Sequence, residues 1–162
     1  MPLLKTILLA IVLLALAVAL AAQFGLLRGR MPNDLGARDG RLKPPSTSPN
    51  SVSSQAGLYP DNPQRAYAQV APFPAADGGP QTLERIRRIV ESMDGAKVVK
   101  SDPGYLYVQF TTRWMKFVDD CEFWFDPRAG VIQVRSASRI GRKDFGVNRE
   151  RIEAIRARLT GG

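Results

Sequence analysis

Phe117-Val118-Asp119-Asp120-Cys121-Glu122-Phe123-Trp124-Phe125-Asp126-Pro127-Arg128-Ala129-Gly130-Val131-Ile132-Gln133-Val134-Arg135-Ser136-Ala137-Ser138 is the stretch that decides the fold of this chain. From Lys116 to Phe125 the residues alternate, with Phe117, Cys121, Phe123 and Phe125 on the apolar face. Asp126–Gly130 has the composition of a hairpin turn, and a second strand follows from Val131 to about Ser138. Pairing Asp126 with Val131 sets Phe125 opposite Ile132 and Phe123 opposite Val134, all on one face. The same register sets Glu122 opposite Arg135 on the other face, an opposite-charge cross-strand pair. A slip of one residue would set Phe123 against Gln133 and destroy both matches.

Working outward, Tyr105–Thr112 alternates as well. Leu106, Val108 and Phe110 face one way, and Tyr105, Tyr107 and Gln109 the other. Ala96–Ser101 reads as a short strand, joined through the turn Asp102-Pro103-Gly104. Before it, Thr82 is the expected N-cap of a helix carrying Leu83, Ile86, Ile89, Val90 and Met93 on one face, and Gly95 its left-handed C-cap. After the hairpin, Asn148 is the expected N-cap of a last helix with Ile152, Ile155 and Leu159 as its apolar stripe. Both helices need an apolar sheet face. Residues 81–162 are therefore expected to form an α+β domain: a two-layer sandwich of a four-stranded antiparallel meander with both helices on one face.

The rest of the 162 residues has a different character. Ile7–Ala22 is sixteen uncharged apolar residues, extended by Phe24, Leu26 and Leu27, with Lys5 the only charge between Pro2 and Leu27. That length fits a transmembrane helix, so residues 1–27 are expected to be a membrane anchor. The alternative is a cleaved signal peptide with Ala19-Leu20-Ala21 as its site. Residues 28–80 hold nine of the 12 prolines and few apolar residues, and read as an extended, Pro/Ser-rich tethering stalk, able to fold back over the domain. Within it, Val70-Ala71-Pro72-Phe73-Pro74 is the piece suited to lie in an apolar groove.

Composition removes several function classes. There is no histidine, so a Ser-His-Asp or Cys-His triad and a histidine-held metal are excluded. Cys121 is the only cysteine, so no intramolecular disulfide forms, and its place in a core-facing strand suits a buried thiol. Lys+Arg 23 against Asp+Glu 15 gives a net charge of +8, which favours anionic partners and solubility alike. No cofactor is expected.

Several motifs together carry a family resemblance. They are Pro32-Asn33-Asp34-Leu35-Gly36, Asp39-Gly40-Arg41-Leu42, Ser48-Pro49-Asn50 with Val52-Ser53-Ser54-Gln55, and Phe117-Val118-Asp119-Asp120 with Glu122-Phe123. The most specific is Arg135-Ser136-Ala137-Ser138-Arg139-Ile140-Gly141-Arg142, continuing through Asp144, Gly146, Asn148, Arg149 and Arg151. From about Met31 onward the chain resembles an uncharacterised bacterial and plastid family known only as domain of unknown function 1499. The resemblance implies no activity. It does imply a departure: the family commonly has two cysteines where this chain has Pro45 and Ser51. A disulfide there in relatives would imply an oxidising compartment. That favours a single-pass protein of the bacterial inner membrane with its soluble domain in the periplasm. The basic flank of Arg28, Arg30, Arg38, Arg41 and Lys43 argues for the cytoplasmic side instead.

Two constellations stand out. Arg135, Arg139 and Arg142, with Asn148 and Arg149 at the start of the last helix, are candidates for binding an anionic group or an acidic protein partner. The competing reading is an internal network in which arginines pair with Asp119, Asp120, Glu122 and Asp144. Asn50, Ser136 and Ser138 complete the set of polar candidates. Alternation puts Asp120 and Glu122 on the open face and Asp119 on the helix side, which argues against a metal cluster. Tyr105, Tyr107 and Trp124, interleaved with Lys116 and Arg135, resemble a stacking platform for single strands, but membrane anchorage makes nucleic acid an unsuited partner, and cover by the stalk or a partner is the expectation for this face. Two classes follow: a membrane-anchored, non-enzymatic binding or scaffold module, or an enzyme of unknown reaction using Asp119 or Asp120 beside the same arginines.

Overall fold

A computed structural model describes residues 1–161. The hairpin is formed in the expected register, with Asp126 opposite Val131, Phe125 opposite Ile132, Phe123 opposite Val134 and Glu122 opposite Arg135. Its strands, β5 (Val118–Asp126) and β6 (Val131–Ser138), continue the antiparallel pairing of β3 (Ala96–Asp102) and β4 (Tyr105–Thr111). Helices α3 (Gly79–Glu91) and α4 (Val147–Thr160) contribute Leu83, Ile86, Val90, Ile152, Ile155 and Leu159 to one core with Val108, Phe110, Phe123 and Val134 of the sheet.

The sheet has six strands, not four. β1 (Ser51–Ser53) pairs antiparallel with the carboxyl half of β6, Ser51 opposite Ala137, and β2 (Phe73–Pro74) pairs with its start. Both strands come from the segment expected as an extended stalk. From Leu42 onward that segment is folded onto the domain, through a 3-10 turn at Ala56–Leu58 and the one-turn helix α2 (Arg65–Ala68). Leu42, Val52, Ala56, Ala68, Val70 and Phe73 are all buried. The physical reason is the edge of the hairpin. A four-stranded meander would leave the amides and carbonyls of β6 unpaired beside an apolar core, and β1 and β2 supply both partners and apolar cover. Phe73 meets Phe123 edge to face, with ring centroids 5.8 Å apart, so the Val70–Pro74 piece lies in the apolar groove as expected.

Two helix starts differ from expectation. α3 begins at Gly79, before Thr82, because Pro80 suits the first turn; the Thr82 hydroxyl donates back to the Gly78 carbonyl at 2.9 Å. α4 begins at Val147, one residue before Asn148, with Gly146 at the cap position. Gly95 has φ +72° but lies in the turn into β3, since α3 ends at Glu91. A Cβ there would lie 2.2 Å from the Thr111 carbonyl oxygen.

At the amino end, α1 (Pro2–Gln23) is long and apolar enough to cross a membrane, and none of its most hydrophobic window is buried. A membrane anchor and a signal sequence share that description. Its 22 residues rise about 33 Å, close to a bilayer core of about 30 Å.

Candidate functional site

The β6–α4 connection, residues 139–146, is where the candidate residues meet, and period-2 alternation decides who meets whom. Asp119 and Asp120 are adjacent in β5, so their side chains leave the sheet on opposite faces. Each meets its own arginine.

On the face away from the helices, the Arg139 guanidinium grips Asp120 with two bonds, Nε at 2.9 Å and Nη2 at 2.7 Å. The Tyr107 hydroxyl donates to the same carboxylate at 2.5 Å and accepts from Gln109 at 2.8 Å. The Asp120 and Arg139 side chains are 1% and 7% exposed, so this is a buried, forked ion pair. The pair raises the Arg139 pKa, Asp120 hydrogen bonding being the main cause. Burial first, and then Asp120, pushes the Tyr107 phenol up to about 12.

Glu122 lies two residues on along the same face and is fully buried. One of its oxygens accepts the Gly36 N–H at 2.6 Å and the Tyr105 hydroxyl at 2.7 Å. Its other oxygen makes no hydrogen bond and faces Arg135 at 3.9 Å. Arg135 donates to the Pro44 carbonyl at 3.2 Å, and its burial lowers its pKa against the pull of Glu122. The expected cross-strand pair therefore exists, but as a buried pair under the chain segment around Gly36. The sheet face without helices is partly covered by this stalk segment, as expected for its aromatic residues.

On the helix side, Arg151 of α4 reaches Asp119 at 2.7 Å, with its guanidinium 4.4 Å from the Phe110 ring. Arg151 also donates to Asn148 Oδ1 at 2.8 Å, and the Ser136 hydroxyl bonds the same oxygen at 2.5 Å. The Asn148 amide donates to Asp144 at 2.9 Å and to Ser138 at 3.1 Å. Asn148 is thus a buried hub and not the helix cap. The capping is done by Asp144, which accepts the backbone N–H groups of Gly146 at 3.0 Å and Asn148 at 3.2 Å. Burial would raise the Asp144 carboxyl, but the Tyr67 hydroxyl at 2.5 Å and these N–H groups outweigh it and hold it below the usual carboxylate range.

Asn50 ties the loop to β1. Its side-chain amide donates to the Gly141 carbonyl at 2.7 Å, and its own carbonyl accepts the Ser138 N–H at 3.0 Å. Where relatives are implied to have a disulfide, Ser51 Oγ accepts the Ser46 N–H at 2.8 Å and Asn62 donates to the Pro45 carbonyl at 2.8 Å. Arg149 leaves this network and donates to the carbonyls of Tyr67 and Gln69.

Of the five anion-binding candidates, Arg135, Arg139, Asn148 and Arg149 are engaged with the protein itself, whereas Arg142 is exposed with no ion-pair or hydrogen-bond partner among the described residues. Lys143 beside it is exposed too. Cys121 is fully buried, and burial pushes its thiol up to about 12, which removes it as a nucleophile at neutral pH. Sequence reasoning missed Tyr67, which no motif announces. It also placed Tyr107 only as a surface aromatic, although a phenol one strand over from Asp120 is in register with it through Gln109.

A cavity of about 610 Å³ lies on the outer face, between the Met31–Ala37 segment and Tyr105, Tyr107 and Trp124. Lys100 and Asp102 stand at its rim, bonded to each other at 3.0 Å.

A family model described as "Protein of unknown function (DUF1499)" matches residues 41–159. That span includes the Ser-Pro-Asn loop, the hairpin and the arginine loop, and leaves out α1 and the Pro32–Gly36 motif. No curated protein and no solved structure matches the chain. With most of its length matched, including every residue of the buried carboxylate network except those before Arg41, the chain belongs to the DUF1499 family of proteins of unknown function.

Proposed function

We propose that this protein is a membrane-anchored, non-enzymatic binding module whose β6–α4 loop offers Arg142 and Lys143 to an anionic group. One observation carries the reading: the three aspartates suited to acid–base chemistry are each occupied inside the fold, and Glu122, with one oxygen unbonded, is fully buried opposite Arg135. Asp120 is held by Arg139 and Tyr107, Asp119 by Arg151, and Asp144 by Tyr67 and the start of α4. Asp119 and Asp120 face opposite sides of the sheet, so they do not converge on one reacting atom, as the enzyme alternative requires. With no histidine and a buried thiol, neither a histidine-activated serine nor a cysteine nucleophile is available.

On this reading α1 is an uncleaved anchor in the bacterial inner membrane, and the domain lies on the periplasmic side. The apolar run through Leu27 and its stop at Arg28 and Arg30 support the anchor. The short lysine-bearing start and the cysteines implied for relatives support the periplasm. Alkaline carbonate washing tests the anchor: the full-length chain stays with membranes, and the chain without residues 1–27 is released. A full-length chain that washes off overturns it. The loop is tested with inorganic polyphosphate as a generic polyanion. Joint Arg142→Glu and Lys143→Glu substitution abolishes binding without moving the urea midpoint; undiminished binding by that variant refutes the loop's role.

A further inference from the structure

We infer that the end of the domain nearest α1 is a membrane-docking surface for anionic lipid headgroups. This rests on the anchored-module reading and names the anionic partner. The β4–β5 loop (112–117) and the β6–α4 loop (139–146) leave the sheet at the same end, because Asp119 pairs with Ser138 and Thr111 with Val118. The chain leaving α1 runs directly against both loops. Gln23 at the end of the helix donates to the Trp114 carbonyl at 3.2 Å. Gly29 lies so close to the second loop that a Cβ there would sit 2.8 Å from the side chains of Arg139 and Ile140. No spacer separates this end from the end of the apolar helix.

The surface chemistry at this end is that of a bilayer interface. Trp114 and Phe145 are 74% and 88% exposed, and no other aromatic of the folded domain exposes as much. Phe24 and Leu26 are exposed in the connection itself, at 82% and 75%. Tryptophan concentrates at the headgroup level of membranes, and Trp, Phe and Leu make up the apolar face of segments that lie in that interface. Phe145 is held out at φ +54°, a strained backbone for a bulky residue, and Lys116 beside the Trp114 loop has φ +57°. Exposing an apolar ring in a strained conformation gains nothing for a domain in water.

Charge agrees. Arg28 and Arg30 in the connection, Arg113 and Lys116 in the first loop, and Arg142 and Lys143 in the second carry six positive charges. Across these three segments the sole carboxylate is Asp144, which is buried capping α4. Clusters of four to eight Lys and Arg immediately cytoplasmic of a membrane helix attract anionic lipid, and the same attraction acts on whichever anionic leaflet this end meets, so the docking surface rests on the anchor and not on the periplasmic side. Among the described residues, the Asp126–Gly130 turn at the opposite end of the sheet has no exposed large apolar side chain. The domain thus lies down on the bilayer through Trp114 and Phe145, with the arginine loop at headgroup depth.

The test uses the full chain with Trp124→Phe, which leaves Trp114 as the only tryptophan. It is reconstituted into phosphatidylcholine vesicles with and without phosphatidylglycerol, containing lipids brominated near the headgroup. Vesicle flotation after a carbonate wash reports the anchor independently. Docking predicts that Trp114 is quenched, more strongly with phosphatidylglycerol. It also predicts that joint Arg142→Glu and Lys143→Glu substitution, both at exposed positions, loses the lipid-dependent part of the quenching; Arg113 is kept because its guanidinium lies 5.2 Å from the Trp114 ring. A chain that floats with the washed vesicles but whose Trp114 is unquenched in phosphatidylglycerol overturns the docking surface and leaves the anchor standing. A chain that does not float overturns the anchor itself.

Discussion

Removing the Arg139 side chain is the sharpest perturbation of the network at the heart of the domain. Asp120 is 1% exposed and its carboxylate is held by the Arg139 fork at 2.7 and 2.9 Å, with Tyr107 as its third donor. At an effective dielectric of about 20, charges 2.7 Å apart attract by roughly 6 kcal/mol. Desolvating each ion costs several kcal/mol, so the assembled pair is close to neutral in net stability. Deleting one member leaves the cost without the attraction. Arg139→Ala should therefore destabilise by about 3–5 kcal/mol. Arg139→Lys keeps the charge but loses the fork and a hydrogen bond to a charged group, for about 1.5–3 kcal/mol. Joint Arg139→Ala and Asp120→Ala should recover part of the single loss, with a coupling of about 0.5–3 kcal/mol. Arg142→Ala, three residues along the same loop and exposed, should stay within about 0.5 kcal/mol. Urea unfolding of the full chain in detergent, followed by tryptophan fluorescence, reads all four, together with Asp120→Ala, which closes the cycle. A loss under about 1 kcal/mol for Arg139→Ala, or losses that simply add in the double variant, would refute the buried-pair account.

Glu122 and Arg135 should show a larger effect than an exposed cross-strand pair. With Glu122 fully buried and one of its oxygens unbonded, Arg135→Ala should cost about 3–5 kcal/mol in the same urea assay, and a loss within about 1 kcal/mol would show that water reaches the carboxylate. Alkali should destabilise the fold from about pH 9 upward. Cys121 is raised from 9.0 to about 12 and Tyr107 from 10.0 to about 12, so the unfolded chain releases these protons first. Their contribution is whole below pH 9 and lost as pH rises towards 12; a melting temperature flat from pH 8 to 11 would contradict it. Asp144 acts in the opposite sense, because its folded pKa is depressed below 3.8. Its contribution is present above that value and lost as pH falls through the folded pKa, so Asp144→Asn should flatten the acid limb of the melting profile.

These effects bear on how this domain is held together. The arginine-rich motif at residues 135–151 reads on paper as a ligand site, yet three of its arginines each neutralise a buried carboxylate from the adjacent strand. Burying three ion pairs in a small domain adds little net stability but penalises any arrangement that separates partners. Two of the three carboxylates come from Asp119 and Asp120, whose opposite orientations tie the loop and α4 to opposite faces of β5 at once.

The hairpin was decided by the sequence itself. Alternation has a period of two, so one register satisfies both the apolar match of Phe123 with Val134 and the charge match of Glu122 with Arg135, and a slip loses both. The same local logic carried Leu106, Val108 and Phe110 into the core, put Asp119 and Asp120 on opposite faces, and marked α1 as long and apolar enough to span a bilayer. Beyond the Val70–Pro74 piece, whose composition already suited it to an apolar groove, the course of residues 42–74 was decided only by tertiary structure. Leu42, Val52, Val70 and Phe73 are single apolar residues among prolines, without a period, and what buries them is the unpaired edge of β6 and the groove beside Phe123. The partner of each arginine was equally out of reach. Arg139 meets Asp120 and Arg151 meets Asp119 because the 139–146 loop turns over the end of the sheet, bringing together side chains 19 and 32 residues apart in the chain. Local periodicity determines the face on which a charge emerges; the long-range closure of that loop determines what it finds there.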